Sequence, residues 1–286
     1  YPQFEKSWQD QKGNLWSPEE VDMTCDLSSY EDLTEVEKFI FESNLKFQTA
    51  GDSLLSRSID SIKKHVSNTE LEYAMNFWML VENIHSQSYT HVLRGILKDP
   101  TPFFDSILED TELALQIAEG VLFYTSFACS FFFAKNGKMT GNGKIITLIK
   151  RDESTHQSLT QNIIKRWKED ESEGFKEIVD KHEEFIYEAY RVAVEGERKW
   201  AEYLFSKGEM VGLTKNSLCG YVEWNANNRL RGLGYKKIFA QQDNPLTWLN
   251  EFMDSSRVQV APQESQITSY KKFGTSDDLS SGQFTF

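Results

Sequence analysis

The sequence predicts an all-α protein assembled as a bundle of long helices. Apolar residues recur at helical spacing over most of the chain and nowhere show sustained strand alternation. Glycine and proline are few, 16 and 6 in 286 residues, and they gather at a handful of breaks. No fixed-period repeat divides the chain. The same scarcity of Gly and Pro excludes a collagen-like chain, a disordered chain and a many-turned β-sandwich.

The elements follow in order. Between Asp32 and about Val66 the apolar positions Val36, Phe39, Ile40, Leu45, Phe47, Leu54, Leu55, Ile59 and Ile62 mark one helical face. Ser67-Asn68-Thr69-Glu70 reads as a capping box opening a helix to about Lys98. Asp99-Pro100-Thr101-Pro102 ends it, because proline cannot continue the hydrogen-bond ladder. Leu113 to Ala134 is a strongly apolar helix whose only charge is Glu119. Asn136-Gly137 and Thr140-Gly141-Asn142-Gly143 mark a turn, and a helix from about Lys144 to Asp170 follows. Another covers about Gly174 to Phe205 and is closed by Lys207-Gly208. Thr214 caps a helix to about Leu230, and Pro245 opens a short last one. From Pro262 the composition turns polar, which predicts a helical domain over 1–261 and a flexible tail over 262–286. The tail ends Gly282-Gln283-Phe284-Thr285-Phe286, an apolar anchor suited to docking in a groove.

Charge and cysteine content narrow the function. With 31 Lys+Arg against 44 Asp+Glu the net charge is −13. That disfavours a general nucleic-acid binder, which needs a basic face to displace counterions, and docking on an anionic membrane. The segment 113–134 is long enough to span a bilayer, but Gln116, Tyr124, Thr125, Ser126 and Ser130 dilute it, and Glu119 would be costly in lipid. A central helix of a soluble bundle is the better reading. Cys25, Cys129 and Cys219 form no Cys-x-x-Cys pair, which points to a reducing compartment and a cytoplasmic protein.

Two of the five histidines have a glutamate three residues earlier: Glu82-Asn83-Ile84-His85 and Glu153-Ser154-Thr155-His156. On a helix, positions i and i+3 point to the same side, so each pair can chelate one metal. Two such motifs on separate helices, with one carboxylate from each of two others, make a ferritin-like dinuclear carboxylate site. Glu119, alone in its apolar helix, and Asp52, flanked by apolar residues, are the candidates for the remaining carboxylates. Four carboxylates balance two divalent ions, and oxygen and imidazole donors suit iron or manganese. Tyr89 lies four residues after His85, on the same helical face, and Phe123 and Phe127 lie four and eight residues after Glu119. This aromatic stripe would give a buried tyrosine dry, unreactive surroundings.

Several stretches together resemble the small, radical-generating subunit of class I ribonucleotide reductase. They are Trp16-Ser17-Pro18-Glu19-Glu20-Val21-Asp22, Ser43-Asn44-Leu45-Lys46-Phe47-Gln48-Thr49, Glu82 through His91, Phe123 through Phe131, Arg151 through His156, and Val258 through Glu264. The resemblance implies that Asp52, Glu82 and His85 hold one metal and Glu119, Glu153 and His156 the other, with Glu82 and Glu153 bridging. It implies two iron or two manganese ions, O₂ activation, and a tyrosyl radical at Tyr89 in a pocket lined by Phe123, Phe127 and Ile149. It further implies a relay through Trp16, Asp152 and His85, a homodimer, and a large catalytic subunit that the tail docks on and that Tyr270 serves. The family normally carries one more long helix before Glu119, and Phe103 to Ala118 leaves no room for it. The competing reading is a ferritin-like di-metal oxidase acting on its own small substrate, which explains the six ligands but neither Tyr89 nor the Phe-ended tail.

Overall fold

The structure is a computed structural model and describes residues 1–103, 123–169 and 174–253. Glu119, Tyr270, the tail and the span of the expected missing helix beyond 103 lie outside the described residues. The elements are α1 (Pro2–Gly13), α2 (Thr24–Glu31), α3 (Glu35–Lys63), α4 (Thr69–Ile96), α5 (Tyr124–Lys135), α6 (Thr140–Glu169), α7 (Phe175–Lys181), α8 (Glu183–Leu204), α9 (Lys215–Gly232) and α10 (Asn250–Met253). Short 3₁₀ turns occupy Pro18–Glu20 and Thr247–Leu249. Among the described residues the sole β feature is a bridge between Met210 and Leu213. None of their helices is long and apolar enough to cross a membrane.

α3, α4, α5 and α6 form the central bundle, α1 packs on α4 and α6, and α8 and α9 close the side next to α5. Caps explain several helix starts. Thr34 and Glu37 exchange bonds at the head of α3: the Glu37 amide donates to Thr34 Oγ1 at 3.3 Å and the Thr34 amide to Glu37 Oε2 at 2.9 Å. At the head of α4 the cap is Asn68, one residue later than the expected box. Its Oδ1 accepts from the Leu71 amide at 2.8 Å, and its Nδ2 donates to Glu70. Thr214 caps α9 as expected.

Two other boundaries differ from expectation. α6 begins at Thr140, not Lys144, because buried Asp26 on α2 accepts from the amides of Gly141 and Asn142 at 2.8 and 2.7 Å. A carboxylate at a helix N-terminus satisfies orphan donors and meets the positive end of the dipole. The segment expected as one helix over 174–205 is two, α7 and α8, broken at His182, whose φ of −102° and ψ of 17° lie off helical values.

The core sits between the four central helices, where Ile40, Leu45, Phe47, Val92, Phe131, Ile145 and Ile149 are buried together. Burying such a side chain contributes roughly 1.5–3 kcal/mol. Trp200 on α8 stacks on Phe47 at 4.5 Å and donates Nε1 to Ser126 Oγ at 2.9 Å, which fixes α8 against α3 and α5.

Candidate metal centre

Three central helices bring the acid and imidazole groups to one place. α3 supplies Asp52, α4 supplies Glu82, His85 and Tyr89, and α6 supplies Asp152, Glu153 and His156. Donor atoms of Asp52, Glu82 and His85 lie within 4.8 Å of one another, and so do those of Glu82, Glu153 and His156. Glu82 belongs to both groups. Its Oε2 is 3.3 Å from His85 Nδ1 and its Oε1 is 3.3 Å from His156 Nδ1. Glu153 also reaches both rings, at 3.4 Å from His85 Nδ1 and 3.6 Å from His156 Nδ1.

The charges in this buried space depend on one another. Burial, reinforced by the charge of Glu82, pushes the Asp52 carboxyl well above the usual carboxylate range. Burial works against charge on Glu153 as well, yet the imidazoles of His156 and His85 hold it down at about 2. Burial disfavours a charged His156, but Glu153 and Glu82 raise it to about 9. His85 is raised for the same reason, with Asp152 and Glu153 outweighing burial. Protonated imidazoles thus serve as counter-ions to crowded carboxylates.

The residues fit a pair of divalent ions. Glu82 Oε2, His85 Nδ1 and His156 Nδ1 are buried with no hydrogen-bond partner, and all three belong to the groups whose donors converge. Orphaned buried polar atoms are rare in folded proteins. His85 uses its other nitrogen outward: Nε2 is 3.3 Å from Asp152 Oδ2. Bracing a ligand imidazole by a carboxylate is the usual arrangement around a metal. The same Asp152 oxygen accepts from Trp16 Nε1 at 2.7 Å, so Trp16, Asp152 and His85 form one continuous chain. Arg151 holds the neighbouring backbone by donating to the Asn14 carbonyl at 2.5 Å.

Tyr89 is buried and donates its hydroxyl to Asp52 Oδ2 at 2.8 Å. Burial and the Asp52 charge push its phenol well above 10. Phe127 and Ile149 are buried in the same apolar cluster as Tyr89, and Phe123 packs against it. The sequence reading missed Trp78. Its Nε1 donates to Glu82 Oε1 at 2.7 Å, and its ring stacks on His156 at 4.8 Å. The signal was present, since Trp78 precedes Glu82 by one helical turn on α4.

A helical bundle with paired Glu-x-x-His motifs facing inward defines a ferritin-like metal-carboxylate protein. Residues 1–114 and 105–245 match the family described as "Ribonucleotide reductase, small chain". The ribonucleoside-diphosphate reductase subunit beta of Buchnera aphidicola is 33% identical over 338 aligned positions, covering 99% of this chain and 90% of that one. Those aligned positions are 52 more than this chain has residues. The ribonucleotide reductase R2 subunit from Clostridium botulinum superposes with a TM-score of 0.80 at 27% identity, covering 88% of each chain. The dimanganese(II)-NrdF of Streptococcus sanguinis shares the fold, with a TM-score of 0.70 at 22% identity over 87% of this chain and 95% of that one. The chain belongs to the class I ribonucleotide reductase small-subunit family. It is the small subunit of an oxidoreductase, and a small subunit implies a large one and, in general, a homodimer.

Proposed function

We propose that this subunit holds two metal ions between Asp52, Glu82 and His85 on one side and Glu119, Glu153 and His156 on the other, and that it stores an oxidising equivalent as a radical on Tyr89. These residues would hold iron or manganese, which when reduced would supply electrons to O₂ or, for manganese, to a further oxidant. The Streptococcus sanguinis NrdF that shares the fold is a dimanganese(II) protein, and the oxygen and imidazole donors here accept either ion.

The observation that carries the reading is the bond from Tyr89 to Asp52. A buried phenol one hydrogen bond from a metal-ligand carboxylate can lose an electron toward the centre while its proton stays within 2.8 Å. Phe127 and Ile149 keep water from the phenol ring. Trp16, Asp152 and His85 offer an unbroken hydrogen-bonded path from the centre to the α1 side of the bundle. Tyr270 and the last residues through Phe286 would extend that path to the large subunit, with the tail as tether; a tether raises effective concentration without a large rigid interface. We also take one family helix between about 103 and 118 to be absent, a reading supported by an alignment longer than the chain. A cytoplasmic setting suits three free thiols.

Loading with Fe(II) and O₂, or with Mn(II) and an added oxidant, should give a sharp tyrosyl signal by electron paramagnetic resonance. Tyr89→Phe should abolish it while both metals remain bound. A signal of unchanged shape in that variant would remove Tyr89 from the role.

A further inference from the structure

Five further buried side chains gather between α3, α5 and α8, none of them a candidate ligand. α3 and α5 run antiparallel: the rings of Phe41 and Phe133 are 5.9 Å apart, and those of Phe47 and Phe123 5.7 Å. Asn44 and Gln48, one turn apart on α3, lie opposite Cys129 and Thr125, one turn apart on α5. The Cys129 thiol lies beside Asn44 and feels the charge of Glu197. Glu197 comes from α8 and accepts from the Thr125 amide at 2.8 Å. All five residues are at most 2% exposed. The polar atoms there are under-matched. Gln48 Oε1 and Nε2 and Thr125 Oγ1 have no hydrogen-bond partner among the described residues, and the Asn44 amide has only the Cys129 thiol beside it, a weak partner. Burying amides and hydroxyls dry is costly, and folded proteins seldom do it.

We propose that Asn44, Gln48 and Thr125, beside Glu197, bind internal water molecules in a second polar site between α3, α5 and α8. The unmatched atoms are the two ends of each amide and one hydroxyl. At about three hydrogen bonds per buried water, they call for about two waters. Water is the ligand because each amide presents a donor as well as an acceptor: a metal ion satisfies only the acceptors, and an anion would meet the Glu197 carboxylate. The waters donate to the amide oxygens and accept from the amide nitrogens. They tie α3 to α5 and α8 at the turn just before Asp52, which follows Gln48 by four residues.

The test uses the full, metal-free chain and two readouts. High-resolution electron density from wild-type crystals should show ordered waters about 2.7–3.2 Å from the Gln48 amide and Thr125 Oγ1. Density without water there, with the two amides paired to each other, overturns the site. Thermal unfolding gives an independent reading. Thr125→Val keeps the side chain's shape and removes only the hydroxyl. With waters bound it strips them of a partner and should lower Tm by about 2–4 °C. In a dry site it removes an orphaned group, so a Tm at or above wild type overturns the proposal. Gln48→Met, of similar volume, should lower Tm further, because it removes both a donor and an acceptor. Waters in the density with a raised Tm in both variants overturn the tie between the helices. Should either variant fail to fold, the wild-type density decides alone.

Discussion

α4 and α6 carry the same four-residue motif and use it differently. On α4, Glu82 and His85 are fully buried and braced from outside: Trp78 donates to Glu82, and Asp152 meets the outer nitrogen of His85. On α6, the Glu153 side chain is 23% exposed, and His156 Nε2 has no hydrogen-bond partner, its ring being held by stacking on Trp78. Spacing delivers two donors to one face in both helices. Rigidity comes from the neighbours, and they favour the α4 pair. On the assignment proposed above, an ion on the α4 side would meet donors already held in place, while one on the α6 side would depend more on Glu119 and on the ion itself to order them.

Replacing Glu82 should erase the difference between the two sides, because its two oxygens serve both. Glu82→Ala is expected to drop metal content from about two ions per chain to nearly none, as read by elemental analysis after gel filtration. Two ions retained would show that the helices do not share this carboxylate. Trp78→Phe should sharpen the contrast. Trp78 touches His156 and the Glu82 oxygen that faces it, so the α6-side ion should weaken by about 10–100-fold and the α4-side ion much less; Mn(II) titration followed by electron paramagnetic resonance separates the two. Equal weakening would argue against distinct sides. The smallest effect is protonic. His156, raised to about 9, is charged at pH 7.5 in the metal-free protein and must be neutral to bind an ion. Metal uptake at pH 7.5 should release protons, that of His156 among them, and the His156 share should fade as pH rises through about 9. Calorimetry in two buffers of different ionisation heat reads it, and an absence of release at pH 7.5 would contradict the raised value. The sign for folding agrees: the raised His156 stabilises the metal-free fold fully below its ordinary value near 6.5, and that stability is lost as pH rises through about 9.

Much of this was legible in the sequence because it depends on local spacing. The apolar period of α3 and α4, the Pro-rich stop after α4, the Thr214 cap and the two Glu-x-x-His pairs are all read within a few residues. What was not legible depends on distant partners. The true start of α6 is set by Asp26, 115 residues earlier. The break at His182 has no glycine or proline to announce it. Trp78 stands one turn from Glu82 on the same helix, but its stacking on His156 of α6 appears only when the two helices pack.

The fastening of α6 by Asp26 bears on the order in which this chain assembles. A rod that carries three of the site's side chains has its first turn held by a carboxylate far upstream in the chain. Contacts between such distant positions form slowly, because a long loop must close before they do. During synthesis the upstream piece emerges first and waits, so the alignment of the rod, and with it the spacing of the chelating groups, is settled only when the downstream half arrives to meet it.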